Sequence, residues 1–77
     1  MMENKFAICA YLTDALRETR EFGGSLRSLT FEPGETREDR EDHVIATALN
    51  GRKVSINVHA DSGIAMIRDI LRGIGGL

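Results

Sequence analysis

The dipeptide Asn50-Gly51 separates two runs of β-branched and small residues, and it constrains the fold of this chain more than any other feature. Asn and Gly tolerate positive φ angles best, so this dipeptide between two such runs is a strong signal for a β-hairpin. We predict strands over residues 43–49 and 52–59, joined by a two-residue type I′ turn. The fold must therefore contain an antiparallel sheet.

A two-residue turn also sets the pairing of the two strands, with Ile45 opposite Ile56 and His43 opposite Val58. The predicted core face then carries Ile45, Thr47, Val54, Ile56 and Val58. The other face is small, flat and mildly polar. It is either solvated or open to a protein partner or a second copy. Its residues are Val44, Ala46, Ala48, Ser55 and Asn57.

Residues 5–22 are predicted to form the first helix. Asn4 is the expected N-cap, and Gly23-Gly24 is the expected end. A strand over residues 6–12 is the alternative, because that stretch is continuously apolar. Apolar side chains recur at helical spacing and share one face: Ile8, Tyr11, Leu12, Ala15 and Phe22.

Two more elements complete the predicted fold, a strand over residues 25–31 and a helix over residues 63–72 capped by Asp61 or Ser62. The apolar stripe of that helix comprises Ile64, Ile67, Ile70, Leu71 and Ile74. We predict a single α+β domain over residues 1–77, in the order α-β-β-β-α. Because only one sheet face is strongly apolar, both helices are expected to pack on it, over a three-stranded antiparallel sheet.

The composition is that of an ordinary globular domain, with 42% hydrophobic residues, 29% charged residues and a net charge of -2. A nearly balanced charge is poorly suited to nucleic acid or an anionic membrane, which attract excess Lys and Arg. No stretch of the sequence is both long enough and apolar enough to span a bilayer, so we expect no membrane partner. The single cysteine, Cys9, is typical of a reducing compartment, and we expect a cytoplasmic protein.

Candidate catalytic and metal-binding residues are few. Cys9 falls in the apolar part of the first helix, where we expect a core role rather than a nucleophile. His59, Asp61 and Ser62 have the side chains of a hydrolase triad but crowd one strand-to-helix turn, where Asp and Ser act as caps. His43 and His59 are predicted on opposite sheet faces and do not converge on a metal. We expect no enzyme activity, no metal and no cofactor.

Residues 32–42 form an acidic segment with six acidic residues and two arginines. Such a segment is either a solvated loop or a surface that attracts a basic protein partner. Its candidate partner-binding residues are Glu32, Glu35, Glu38, Asp39, Glu41 and Asp42.

A nucleic-acid-binding surface is the alternative hypothesis. Although the net charge disfavours it, four cations would form a local basic patch if the fold brought them together. They are Arg52, Lys53, Arg68 and Arg72.

The order of helix, three strands and helix resembles that of the double-stranded RNA-binding domain. That family contacts phosphate through a lysine-rich start to its last helix. Residues 61–68 here begin with Asp61 and contain no lysine. The resemblance therefore extends to element order and not to the RNA-binding motif.

The same order, with a turn-closed hairpin and an acidic surface, also resembles some small phage anti-CRISPR inhibitors. Those proteins occupy the DNA-binding surface of a nuclease with acidic residues in place of phosphates, a role that would fall to the acidic segment. We predict a small non-enzymatic protein-binding module, an inhibitor or adaptor from a phage or mobile element. Its expected partner is a protein, with a homodimer as one form.

Overall fold

A computed structural model describes residues 4–34, 41–58 and 62–76 of the chain. The strands follow one another in a single antiparallel sheet in the order β1-β2-β3. This confirms the α-β-β-β-α order and the α+β class. The elements are α1 (Lys5–Arg17), β1 (Leu26–Glu32), β2 (His43–Ala48), β3 (Lys53–Asn57), α2 (Gly63–Gly73) and a short 3₁₀ turn (Ile74–Gly76).

Helix α1 begins where the sequence predicts and ends five residues early. The Asn4 side chain accepts a hydrogen bond from the Ala7 N–H (3.0 Å), as expected of an N-cap. Near the other end, the Thr19 hydroxyl donates to the Leu16 carbonyl and accepts from the Phe22 N–H. Because these local bonds compete with continued helix, the chain leaves α1 at Arg17 and turns towards β1.

Helix α1 is also rotated about its axis relative to the prediction. Cys9 and Leu16 are its buried residues, whereas Ile8 and Leu12 are half-buried. Tyr11 is 74% exposed, so it is not a core residue. The predicted stripe therefore included the exposed Tyr11 and Ala15 and omitted the buried Cys9 and Leu16.

A bulge allows β1 to present three large side chains to the core. Leu26 pairs with Ala48, but Ser28 pairs with Thr47, so Arg27 is the extra residue. An extra residue shifts the alternation of side chains by one position. Leu26 and Leu29, three residues apart, consequently lie on the same buried face, as does Phe31.

The hairpin loop between β2 and β3 contains three residues rather than two. The Ala48 N–H donates to the Arg52 carbonyl (2.8 Å), and the Gly51 N–H donates to the Ala48 carbonyl (3.0 Å). The positive φ angle falls at Gly51 (91°). A turn followed by a left-handed glycine is a common closure for a three-residue loop.

The extra loop residue shifts the β2–β3 pairing by one position, and the predicted register is therefore wrong. Ile45 lies opposite Ser55, not Ile56. Since side chains alternate between faces, such a shift moves all the side chains of β2 to the other face. The face that packs against the helices carries Val44, Ala46, Ala48, Val54, Ile56 and Val58.

The opposite face, called the outer sheet face below, is largely polar. Thr30, Glu32, Lys53, Ser55 and Asn57 are exposed on it, and Ile45 is its one large aliphatic side chain. Its full set is Ser28, Thr30, Glu32, His43, Ile45, Thr47, Lys53, Ser55 and Asn57.

Both helices pack on the same side of the sheet, as predicted. One cluster of buried side chains joins α1, α2 and all three strands. Its members are Cys9, Leu16, Leu26, Leu29, Phe31, Val44, Ala46, Ile56, Val58, Met66, Ile70 and Ile74.

Helix α2 occupies the predicted position. The Ser62 side chain accepts from the Ala65 N–H (3.2 Å) and is the N-cap, whereas Asp61 lies outside the described residues. At the other end, Gly73 lies so close to β3 that a Cβ atom there would stand 2.5 Å from Ile56 Cγ1. This glycine lets the helix approach the strand directly. Neither helix in the described part of the chain is long and apolar enough to span a membrane.

Candidate protein-binding site

An apolar depression of about 290 Å³ lies on the surface between the two helices. Four of its lining residues come from α1, and Ile67 comes from α2. Tyr11, on the α1 wall, is largely exposed. The four α1 residues are Ile8, Tyr11, Leu12 and Ala15.

Two further apolar side chains extend this surface along α2. Ile64 is 79% exposed and Leu71 is 45% exposed. They lie three residues before and four residues after Ile67, so all three share one face of the helix. The apolar groove is defined here as Ile8, Tyr11, Leu12, Ala15, Ile64, Ile67 and Leu71.

The groove exists because α2 is apolar on two faces. Met66, Ile70 and Ile74 are completely buried against the sheet. Ile64, Ile67 and Leu71 lie on the neighbouring face, which the sheet does not reach. The apolar stripe of a surface helix is usually about 100° wide, and the stripe of α2 is wider. The apolar stripe predicted for α2 from the sequence included residues of both the buried and the exposed face, and it left out Met66.

Opposite charges flank the two walls of the groove. Asp14 in α1 and its C-cap Glu18 are exposed three and seven residues after Tyr11, and therefore lie on the same side of the helix. Arg68 and Arg72 are exposed on α2, four and eight residues after Ile64. The α1 flank is thus acidic and the α2 flank is basic.

The flanking arginine Arg68 already has one weak ionic contact. Its Nε lies 3.7 Å from the Asp69 carboxylate, and its side chain is 61% exposed. Exposed ion pairs contribute little to stability, so this contact leaves the arginine able to interact with another charge.

A second depression, at the C-terminal end of α1, is polar. It is lined by Asp14, Arg17, Glu18 and Gly23. Its lining contains charged groups of both signs, two carboxylates and one guanidinium.

Three of the five residues of the sheet-face site predicted from the sequence are buried. Val44 and Ala46 are fully buried and Ala48 nearly so, because the register places them beneath the helices. Ser55 and Asn57 are exposed, but they lie on the outer sheet face, away from those three residues. The structure therefore separates the five predicted residues between two faces.

The acidic segment is described in part. Glu32 is exposed at the end of β1, and Glu41 is exposed just before β2. Asp42 has a structural role, since its Oδ1 accepts from the Gly34 N–H (2.8 Å) and its carbonyl accepts from Val58. Glu35, Glu38 and Asp39 lie outside the described residues.

The four candidate nucleic-acid contacts fall on different layers. Lys53 belongs to the outer sheet face, and Arg52 is exposed just before it. Arg68 and Arg72 are on α2, which packs against the opposite face. The two pairs therefore do not share one surface of the sheet.

No set of three metal-binding side chains occurs among residues 4–34, 41–58 and 62–76. His43 is half-buried on the outer sheet face, while His59 lies outside these ranges. The predicted separation of the two histidines is therefore untested.

Cys9 is a free thiol, 1% exposed, in the core beneath α1. This confirms its predicted location. Burial raises the pKa of the Cys9 thiol, which makes the reactive thiolate scarcer at neutral pH. The pKa of the Cys9 thiol is therefore higher in the folded chain than in the unfolded chain. As the pH rises through the unfolded pKa towards the folded pKa, ionisation increasingly favours the unfolded chain, so folding stability falls over that range.

We expect native Cys9 to react with a thiol reagent at least about 100-fold more slowly than an exposed cysteine, because reaction requires local opening. The reference is Ser55→Cys, which adds an exposed thiol on the outer sheet face. Mass spectrometry after timed labelling at pH 7.5 measures both rates in one molecule. Comparable rates for the two thiols would contradict the burial of Cys9.

No family model, no curated protein and no solved structure matches this chain.

Proposed function

We propose that this chain is a small non-enzymatic protein-binding module and that the apolar groove is its binding site. The supporting observation is the exposure of Tyr11, Ile64 and Leu71 around one depression. A chain of this length has few apolar residues to spare, because a small domain buries only about 60% of its unfolded surface. Contiguous exposed apolar side chains on such a domain are typical of a protein interface.

Tyr11 is the expected anchor of the interaction. Tyrosine is enriched among residues that dominate binding energy, since it combines a large apolar ring with a hydrogen-bonding hydroxyl. Tyr11 projects beside the depression rather than into the core, and it has an aliphatic neighbour on each helix in Leu12 and Ile67. A partner that covers this ring would also cover the exposed parts of those neighbours.

The outer sheet face is a weaker candidate. Its exposed residues are small, polar or charged, and it carries no aromatic side chain. Interface centres are depleted in charge and enriched in aromatic residues, which matches the groove better. The acidic segment, whose described residues Glu32 and Glu41 are exposed, would be a separate contact surface if the module acts as an inhibitor or adaptor of phage origin.

Nucleic-acid binding remains the alternative function. It has less support, because Lys53 and Arg68 belong to opposite layers of the fold. The flanks of the groove also include Asp14 and Glu18, which would repel phosphate.

Site-specific photo-cross-linking tests the proposed site. A photoreactive phenylalanine analogue at Tyr11 is expected to form covalent adducts with protein in the native host. The same analogue at Thr30, exposed on the outer sheet face, serves as the matched control. Adducts of defined mass at Tyr11, absent at Thr30 and lost when Ile67→Glu is added, would support the proposal. Equal yields at both positions, or no adduct at Tyr11, would refute it.

A further inference from the structure

We infer that the occupant of the apolar groove is a second copy of this chain, bound in a two-fold dimer in which α1 of each copy lies against α2 of the other. This inference rests on the proposed function and names its partner. It depends on three features of the molecule: its size, the composition of the groove and the distribution of charge along its walls.

Size is the first argument. In domains of fewer than about 80 residues a single hydrophobic core rarely supplies more than about 3–5 kcal/mol, and oligomerisation is one way in which such domains gain stability. The only cysteine, Cys9, excludes an internal disulfide, and no cluster of metal-binding side chains occurs in the described ranges. Covering the groove with a second copy would bury further apolar area beyond that of the single core.

The composition of the groove is the second argument. A two-fold interface brings the same patch of both copies together, so the patch must suit itself. An apolar strip with Tyr11 on one wall and Ile64, Ile67 and Leu71 on the other meets this requirement. With α1 over α2 of the second copy, each tyrosine ring covers the isoleucine row of its neighbour.

Charge is the third argument, and it selects the orientation. A two-fold axis that runs across the groove would place α1 against α1, so that Asp14 and Glu18 of both copies face one another. An axis that runs along the groove places α1 against α2, so that the acidic flank of each copy meets Arg68 and Arg72 of the other. Electrostatic complementarity favours the second arrangement.

Sedimentation equilibrium of the whole chain tests the dimer. At about 100 μM, where a micromolar dissociation constant gives mainly dimer, we expect the wild-type chain to sediment at twice its monomer mass. Ile67→Glu is expected to give monomer, and Ile45→Glu, the same change on the outer sheet face, is expected to leave the dimer intact. Circular dichroism establishes that each variant is folded. A monomeric wild type, or dissociation by Ile45→Glu but not by Ile67→Glu, would overturn the inference.

Charge reversal tests the orientation. Reversing only α1 (Asp14→Arg with Glu18→Arg) or only α2 (Arg68→Glu with Arg72→Glu) leaves each copy with flanks of one sign. Each variant should dimerise at least about 10-fold more weakly at low salt, with the difference reduced at high salt. Reversing all four should restore dimerisation. If it remains weak, or if neither two-residue variant differs from wild type, the α1-to-α2 arrangement is refuted.

The two proposals fail in distinguishable ways. A monomeric wild type with a Tyr11 adduct to a different protein overturns the homodimer and supports the binding module. If Tyr11 forms no adduct in the host and none between two copies in the purified protein, both proposals are overturned.

Discussion

Ala46→Glu is expected to leave the chain without a cooperative folded state. Ala46 is fully buried between Leu29 of β1 and Val54 of β3. A glutamate there must either bury its carboxyl group or separate the helices from the sheet. An unpaired buried carboxylate costs several kcal/mol, and one small core supplies only about 3–5 kcal/mol. Circular dichroism with thermal unfolding measures the result.

The matched control is Ile45→Glu, one residue away. Ile45 points to the outer sheet face between Thr30 and Ser55, where a carboxylate reaches water. We expect a folded chain that loses about 1–2 kcal/mol through lower β propensity and lost partial burial. Both variants are compared at one protein concentration, since self-association would add to stability. A folded Ala46→Glu and an unfolded Ile45→Glu would instead support the register of a two-residue turn.

Thr13→Val is expected to destabilise the fold by about 1–3 kcal/mol, through the loss of a hydrogen bond between α1 and β1. The Thr13 hydroxyl donates to the Cys9 carbonyl (2.7 Å) and accepts from the Leu29 N–H (3.0 Å). Valine has nearly the same shape and a similar helix propensity, but it cannot accept. The Leu29 N–H, on the free edge of β1, would be left without this partner. Thermal unfolding should show a midpoint lowered by several degrees.

Thr13→Ser distinguishes the contribution of the hydroxyl group to stability from that of the methyl group. Serine keeps both hydrogen bonds and loses one half-buried methyl, so we expect a loss below about 1 kcal/mol. If Thr13→Ser is as unstable as Thr13→Val, packing of the methyl group and not the hydrogen bond joins α1 to β1.

The sequence contained more information on the hairpin register than the dipeptide Asn50-Gly51 alone. Both a two-residue and a three-residue loop place a left-handed glycine there, so the dipeptide locates the turn without setting its length. The residue pattern of the two strands distinguishes a two-residue loop from a three-residue loop. Apolar residues occupy the even positions of both strands, and polar residues occupy the odd positions of β3. Even-numbered residues of the two strands can lie opposite one another only if the loop between them contains an odd number of residues.

The position of the groove was harder to predict. Helical periodicity shows which residues share a face, but it does not show which of two adjacent apolar faces meets the sheet. In α1, the hydroxyl of Thr13 bonds to β1 and thereby brings Cys9 and Leu16 inwards. That contact joins residues distant in sequence, so helical periodicity within α1 alone does not predict it. Tyr11 is turned outwards as a consequence.

The order of the strands bears on how the chain folds. Each strand pairs with its neighbour in sequence, so a single loop closure accompanies each pairing. The three-residue loop at Gly51 is much shorter than the connection of residues 33–42 between β1 and β2. The longer closure costs about 1 kcal/mol more entropy. We therefore expect the β2–β3 hairpin to form first and β1, with α1 attached, to pair with it afterwards.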